Sequence, residues 1–359
     1  MASAHDDPPR PGTPAPDDPV TGPGPPGAPA HTGPGADLPP LPPAGGTTFR
    51  FLLVAGMAVL LTILTYSVLV ATEPGQRIEN LALRGAELRS DAERAAALGR
   101  LSIVTVAIFG IALVAVLGVG FLRGRERLAF MVAGTMGASV VLAELLKEWL
   151  SRPALVEGPI WLLRNSFPSG SAAVAASIAI GAVLVAPDRL RWIVLPIGAV
   201  FAGLIVDAVQ TAGWHRLSDT VGGVLLVIAA ASLGLAALAT RGLVHPSPDA
   251  RIDRRVRAIL LVGGSAVVVL GALLVVLPGV FPLLAAPDGA RRSILQTAFP
   301  LLGLGVTVLA LVLFATSIDG YTLGRVASGS DRPAAPKASS GAHQETAGPS
   351  SGPTDEVYA

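Results

Sequence analysis

Long apolar segments alternate with short polar stretches along most of the chain. Eight such segments cover residues 49–71, 101–122, 128–149, 170–187, 192–213, 219–240, 257–278 and 295–317. An α-helix needs about 20 predominantly apolar residues to cross the hydrocarbon core of a bilayer. The pattern therefore predicts an all-α fold, a polytopic bundle of about eight transmembrane helices.

Composition agrees with a membrane protein and excludes several classes of function. The chain is 51% hydrophobic and 14% charged, and its mean hydropathy is +0.61. A net charge of +1 gives no footprint for nucleic acid, so no nucleic-acid partner is expected. The chain has no cysteine, which excludes disulfides, thiol nucleophiles and zinc–thiolate centres.

The two ends of the chain differ in composition from the apolar body. Residues 1–48 are rich in proline, glycine, alanine and aspartate, and residues 318–359 are rich in serine, glycine and proline. Such segments bury too little apolar surface to offset the chain entropy lost on folding. We expect both to be disordered tails on either side of the membrane body.

Arginine residues in the short loops predict the orientation of the bundle. They lie between the second and third segments, the fourth and fifth, and the sixth and seventh: Arg123, Arg125, Arg127, Arg189, Arg191, Arg241, Arg251, Arg254, Arg255 and Arg257. These loops share one side, which the positive-inside rule assigns to the cytoplasm. We expect a multi-pass plasma-membrane protein with both termini in the cytoplasm.

Three polar clusters interrupt the apolar pattern on the opposite, outer side. They cover residues 147–153, 167–171 and 213–219, each at the end of an apolar segment. Polar and charged groups are costly near lipid and usually mark a function there. Their common side indicates one shared site facing outward.

The residue types in these clusters suit the binding and attack of a phosphoryl group. Lys147 and Arg152 can neutralise phosphate oxygens. Ser169 and Gly170 open an apolar segment, and the free N–H groups of a helix N-terminus bind anions. His215 and Asp219 are four residues apart and share a helix face, so the carboxylate can fix the imidazole tautomer for nucleophilic attack.

Each of these features also has a purely structural interpretation. Lys147 and Arg152 can be cations that snorkel at a helix end. The sequence Pro168-Ser169-Gly170 can be an ordinary first turn of a membrane helix. Asp219 can simply cap its helix beside an interfacial histidine.

The order of the clusters resembles the type 2 phosphatidic acid phosphatase superfamily, which shares its site with the vanadium haloperoxidases. The family pattern is Lys-x6-Arg-Pro, then Pro-Ser-Gly-His, then Ser-Arg-x5-His-x3-Asp. The chain has Lys147 with Arg152-Pro153, then Pro168-Ser169-Gly170, then His215-x3-Asp219. It departs at three places, which hold Ala154, Ser171 and Ala208-Val209 where the family has arginine, histidine and Ser-Arg.

The resemblance implies a six-helix phosphatase-like core over residues 49–240, with two additional helices over 241–317. It implies a phosphohistidine intermediate on His215, oriented by Asp219. The substrate phosphate is then expected to contact the residues of the first two clusters, Lys147, Arg152, Ser169, Gly170 and Ser171. No metal or other cofactor is expected, and nothing in the sequence indicates an oligomeric state.

The departures leave three functional hypotheses open. General acid catalysis contributes about 100- to 10,000-fold, and Ser171 is a poor substitute for the family histidine. The first hypothesis is hydrolysis of a lipid phosphomonoester, and the second is hydrolysis of an isoprenyl diphosphate, whose leaving group depends less on an acid. In the third, the protein binds a lipid phosphate or a partner without chemistry. Arg164 and Arg216 are cations that could replace the missing arginine.

Residues 72–100 form the long first outer loop and carry apolar residues at helical spacing. This segment is either an amphipathic helix on the bilayer surface or a lid over the site. Two acids lie in predicted spans, Glu144 and Asp207. Each is either a polar contact inside the bundle or part of the site.

Overall fold

The computed structural model describes residues 44–102, 106–247, 250–280 and 288–325. The amino-terminal half holds α1 (Ala44–Thr65), continued by a π-helical turn at Tyr66–Val70, then α2 (Glu73–Gly85), α3 (Asp91–Leu101), α4 (Val106–Leu122) and α5 (Glu126–Trp149). The rest holds α6 (Ile160–Leu163), α7 (Gly170–Val185), α8 (Arg191–Thr211), α9 (Leu217–Thr240), β1 (Val244–Pro246), α10 (Arg254–Val280), α11 (Asp288–Ile318) and β2 (Tyr321–Leu323). Short 3₁₀ turns occupy Ala86–Leu88 and Asp188–Leu190.

The described residues form an all-α, polytopic membrane bundle, which confirms the predicted fold class. Seven helical stretches among them are long and apolar enough to cross a bilayer. The remaining predicted span, 170–187, corresponds to α7, which has only 16 residues. It ends at Val185, two residues before the predicted boundary, because Pro187 disfavours helical backbone at the residue that precedes it.

Helices α7 and α9 form the centre of the bundle and pack closely through small residues. Ala172, Ala173 and Ala176 of α7 are fully buried. On α9, a Cβ at Gly223 would overlap the carbonyl oxygen of Ser169, so only glycine allows this approach. Close backbone contact through small residues is the usual packing mode of membrane helices.

The outer helices α1 and α10 expose large apolar side chains, as expected for surfaces that face lipid. Leu53 of α1 and Ile259 of α10 are more than half exposed. Helix α10 packs mainly on α11, and α11 packs on α8 and α9. The two predicted additional helices therefore form a hairpin whose second helix attaches it to the core.

Both predicted tail boundaries are displaced in the structure. Helix α1 begins at Ala44, inside the predicted tail 1–48, and the remainder of that tail lies outside the described residues. Residues 318–325 are ordered because β2 pairs with β1, and the buried Arg191 guanidinium donates to the Tyr321 carbonyl at 2.7 Å. Only residues 326–359 of the second predicted tail lie outside the described residues.

The loop 72–100 folds into α2 and α3 rather than into one helix on the bilayer surface. Ala82 of α2 packs against the apolar residues Leu295, Ala298 and Phe299 of α11. The polar residues Gln76, Glu79 and Asn80 of α2 are also buried in the bundle. Helix α2 therefore packs across one end of the bundle, and its role as a lid stays a prediction.

Helix α3 is fixed to α8 by an ion pair between its Arg100 and Asp207, whose nearest atoms are 2.8 Å apart. Asp207 therefore makes a polar contact inside the bundle, which is one of the two interpretations that the sequence allows.

Candidate active site

Four helix ends and helix α2 meet at one end of the bundle. Helices α5 and α8 end there, and α7 and α9 begin there. The three polar clusters occupy the connections at these ends, so the fold brings them together although they are far apart in the chain.

The second and third clusters are joined directly by a backbone hydrogen bond. The Ser169 N–H donates to the carbonyl oxygen of Asp219 at 2.7 Å. The Ser169 hydroxyl oxygen is the N-cap of α7 and accepts from the Ala172 N–H at 3.3 Å. The start of α7 therefore lies beside the first turn of α9, with its first N–H groups oriented toward the same end of the bundle.

Lys147 reaches the start of α7 from the end of α5. Its Nζ lies 2.7 Å from Glu144 Oε1. A Cβ built on Gly170 would lie 3.4 Å from Lys147 Nζ and would overlap Glu144 Oε1. Gly170 therefore makes room for this pair, and Glu144 supplies a nearby negative charge that partly compensates the ammonium group.

Asn165 holds the first and second clusters together, which the sequence analysis did not foresee. Its side-chain amide donates to the carbonyls of Lys147 at 3.1 Å and Leu150 at 2.9 Å. Its amide oxygen accepts from the Phe167 N–H at 3.2 Å. These bonds satisfy carbonyls at the carboxyl end of α5, which a helix leaves free. A lone asparagine in a loop carries no sequence signal for this function.

His215 and Asp219 lie together as their spacing predicts. His215 Nδ1 is 3.4 Å from Asp219 Oδ2, and the Asp219 side chain is completely buried. The same Oδ2 accepts from the Ser166 hydroxyl at 2.6 Å and from the Arg216 N–H at 2.8 Å. Asp219 therefore caps α9 and also faces the imidazole. The structural and the functional interpretation of this residue are compatible with each other.

The two cations considered as replacements for the family arginine have different environments. The Arg216 guanidinium is buried and donates to Asn80, Ser166 and the Leu162 carbonyl, at 3.1, 3.1 and 2.6 Å. These three bonds occupy it with structural contacts. Arg164 is exposed on the loop before α7.

Arg152 is buried opposite a glutamate that comes from α2. The Arg152 side chain is 1% exposed, and its Nη2 lies 3.8 Å from Glu79 Oε2. None of its three guanidinium nitrogens has a hydrogen-bond partner among the described residues. A buried guanidinium without hydrogen bonds is costly, so Arg152 is available to an anion that enters the site.

Glu79 is the second site residue that the sequence analysis missed. Its Oε1 accepts from the Ser218 N–H at 2.7 Å, and its Oε2 accepts from the Ser218 hydroxyl at 2.9 Å. Burial and the negative charge of Asp219 raise the pKa of Glu79 to about 7, against the opposing effects of Ser218 and Arg152. The only sequence signal was a charged residue on an amphipathic helix, a position that is usually solvated.

A small cavity of about 10 Å³ lies beneath α2 at this end of the bundle. Glu79, His215, Gln210 and Arg216 line it, together with Phe299 of α11. This is about the volume that one water molecule requires. This cavity is therefore too small for a phosphoryl group, and of the predicted site residues only His215 lines it.

The chain was compared with known families, curated proteins and solved structures. No family model matches it, and no curated protein is similar to it. The chain is similar to one solved structure, that of a transmembrane PAP2 type phosphatidylglycerolphosphate phosphatase from Bacillus subtilis. It is 22% identical, with a TM-score of 0.36, over 55% of this chain and 94% of that one. At this level of similarity, the function of the neighbour does not transfer to this chain.

Proposed function

We propose that this membrane protein is a lipid phosphatase that uses His215 as its nucleophile. The observation that carries the proposal is the contact between the second and third polar clusters. The Ser169 N–H bonds to the Asp219 carbonyl at 2.7 Å, and the Asp219 carboxylate lies 3.4 Å from the His215 ring. A helix start with free N–H groups and an imidazole next to a carboxylate therefore lie at the same end of the bundle, and both support the proposal.

The other residues take roles that follow from their chemistry. The N–H groups of Gly170 and Ser171 at the start of α7 bind the phosphate oxygens, with Lys147 adding a positive charge from α5. Arg152 gives the guanidinium charge, which acts most strongly in a site closed to water. Asp219 orients His215 and stabilises the positive charge that the ring acquires when it bonds to phosphorus.

The proposed substrate is a lipid phosphomonoester or an isoprenyl diphosphate in the outer leaflet. The three polar clusters lie at one end of the described helices, and this supports a substrate whose charged group is a lipid headgroup. The outer side is expected from the arginine-rich loops at the other end. Hydrolysis of a diphosphate releases a weakly basic phosphate, and this leaving group needs less assistance from an acid than an alkoxide does.

A second candidate function is the binding of a lipid phosphate without hydrolysis. The cavity beside His215 measures about 10 Å³, and a carboxylate already faces Arg152. Ser171 and Val209 stand where the resembled family has its acid and an arginine. These observations favour a protein that holds an anion but turns it over slowly or not at all.

Purified protein in detergent micelles, assayed for phosphate release, distinguishes the two functions. The substrates are phosphatidate and an isoprenyl diphosphate, and the variants are His215→Ala and, as the matched control, His245→Ala in β1. We expect release by the wild type and by the control, and none by His215→Ala. Release that persists in His215→Ala contradicts the proposed nucleophile. Binding of both lipids without release supports the second function.

A further inference from the structure

The proposed reaction needs a proton for the oxygen that leaves phosphorus, and Ser171 is a poor source of it. Its hydroxyl proton is held too tightly near neutral pH for efficient transfer. We propose that Glu79, carried into the site by α2, is the proton donor to the leaving oxygen. This inference rests on the proposed phosphatase function and assigns the acid that the sequence lacks at the family position.

The geometry places Glu79 beside the nucleophile. Glu79 and His215 line the same cavity, although one comes from α2 and the other from the turn before α9. Ser218 holds the glutamate carboxyl group from both its N–H and its hydroxyl, at 2.7 and 2.9 Å. These bonds place the carboxyl at the first turn of α9, next to the Asp219 that faces the imidazole.

The groups around Glu79 determine how readily it holds a proton. Arg152, from the loop after α5, favours the charged form at 3.8 Å, and Ser218 favours it through two hydrogen bonds. Asp219 on α9 and complete burial favour the neutral form. Arg89, His215 and Arg216 also line the cavity.

Burial and Asp219 prevail, so the pKa of Glu79 lies near 7. General acids work best when their pKa lies in this range.

In the proposed first half-reaction, one bond to phosphorus forms while another breaks. Nε2 of His215 forms a bond to phosphorus while the bond between phosphorus and the leaving oxygen breaks. That oxygen keeps the electron pair and takes the proton of Glu79, which gives a neutral alcohol and a Glu79 carboxylate. In the second half, water attacks the phosphohistidine and passes one proton to Glu79. Inorganic phosphate, free His215 and protonated Glu79 result.

Helix α2 therefore has two functions in this proposal. Its movement admits the substrate, and its return places the acid against the leaving oxygen and excludes water. Gln76 on the same helix donates to the carbonyls of Val70 and Pro153, each at 2.7 Å. These bonds and the Glu79–Ser218 pair define the closed position.

The dependence on the leaving group tests the acid. Glu79→Gln keeps the size of the side chain and an oxygen for the Ser218 N–H, but it cannot transfer a proton. We compare wild type and variant on a long-chain alkyl phosphate and on 4-nitrophenyl phosphate, whose leaving group needs no acid. We expect kcat/KM for the alkyl ester to fall about 100- to 1,000-fold. The aryl ester should change by less than about threefold, and the alkaline limb of the pH–rate profile near pH 7 should disappear.

Equal losses on both esters, or no loss on either, overturn the proposal and leave Glu79 as a partner of Ser218 and Arg152. Hydrolysis of neither ester by the wild type is a failure of the proposed function instead. Should the glutamine variant not fold, Glu79→Asp decides. It keeps an acid at an altered position, so its alkaline limb should shift, and an unchanged limb shows that another group titrates.

Discussion

Each end of the bundle buries an arginine, but the two side chains differ in the partners that surround their charge. At the ribbon end, formed by β1, β2 and the start of α8, Arg191 is fully buried. Its Nη1 donates to the Tyr321 carbonyl at 2.7 Å and its Nη2 lies 2.9 Å from Asp188. At the end with the candidate site, Arg152 has only Glu79 at 3.8 Å and no hydrogen bond among the described residues.

The difference gives Arg191 closer partners within the protein than Arg152 has, which is why Arg152 is the candidate contact for the proposed anion. Asp188 also accepts from Arg125 and from the Thr322 hydroxyl, so the ribbon end is a closed network that joins α8 to β2. Nε and Nη2 of Arg191 also lack a hydrogen bond among the described residues, so the two arginines differ in the number and closeness of their partners. A buried charge costs more free energy the fewer partners it has. Arg152 bears that cost at the end where an anion is expected to bind.

Removing the paired arginine should have the largest effect on stability. Arg191→Met leaves Asp188 and the Tyr321 carbonyl with fewer partners inside the protein. Loss of one member of a buried pair costs about 3–5 kcal/mol, so the unfolding temperature in detergent should fall sharply. Little change in that temperature would show that the ribbon end does not depend on this network.

Removing Arg152, which faces Glu79 at 3.8 Å but has no hydrogen bond among the described residues, should affect ligand binding more than folding. Arg152→Met leaves Glu79 without its cation, but Glu79 can become neutral by taking up a proton. We expect inhibition by inorganic phosphate to weaken about 10- to 100-fold, since a charged hydrogen bond contributes about 1.5–3 kcal/mol. The unfolding temperature should change little, and a large fall would assign Arg152 to the fold instead.

Stability should fall with rising pH because of Glu79. Burial and Asp219 raise the pKa of Glu79 to about 7 in the folded protein, above its ordinary value of about 4.3. Its contribution is therefore fully present below pH 4.3 and is lost as the pH rises through 7. Between pH 5 and 8 we expect a loss of about 1–3 kcal/mol. The free energy of unfolding of Glu79→Gln, measured with denaturant, should fall less steeply with pH than that of the wild type. An equal dependence on pH would show that Glu79 does not cause the loss of stability.

The smallest effect is expected at Gly170, where a methyl group would meet Glu144 and Lys147. Gly170→Ala should displace the flexible end of Glu144 and lower phosphate release several-fold. Stability should change by less than about 1 kcal/mol, because alanine also favours the helix. Gly110→Ala is the matched control, since a Cβ at that helical glycine has no described neighbour within 4 Å. Equal activity of the two variants would show that the Lys147–Glu144 pair does not contribute to phosphate release.

Much of the membrane body was predictable because hydropathy is a local property. The predicted span 219–240 corresponds to α9, Leu217–Thr240, and the span 128–149 corresponds to α5, Glu126–Trp149. The i, i+4 spacing of His215 and Asp219 was likewise sufficient to predict their proximity, because helix geometry alone sets it.

Other features depended on contacts between distant segments. Residues 318–325 were assigned to the carboxyl-terminal tail because they follow the last apolar segment, yet the pairing of β2 with β1 orders them. Arg216 was a candidate phosphate ligand, but Asn80, Ser166 and the Leu162 carbonyl occupy it. None of these partners can be inferred from the residues that flank Arg216 in the chain.

The sequence by itself determined the membrane helices, the shared end of the three polar clusters and the His215–Asp219 pair, because apolar length and helical spacing act over a few neighbouring residues. Only the tertiary structure decided that α2 lies over that end and sets Glu79 against Ser218 and Arg152. A glutamate on an amphipathic helix has the same local pattern whether it meets water or a buried guanidinium. The packing of α2 on α11 decides that Glu79 is buried. This buried environment raises the pKa of Glu79 to about 7.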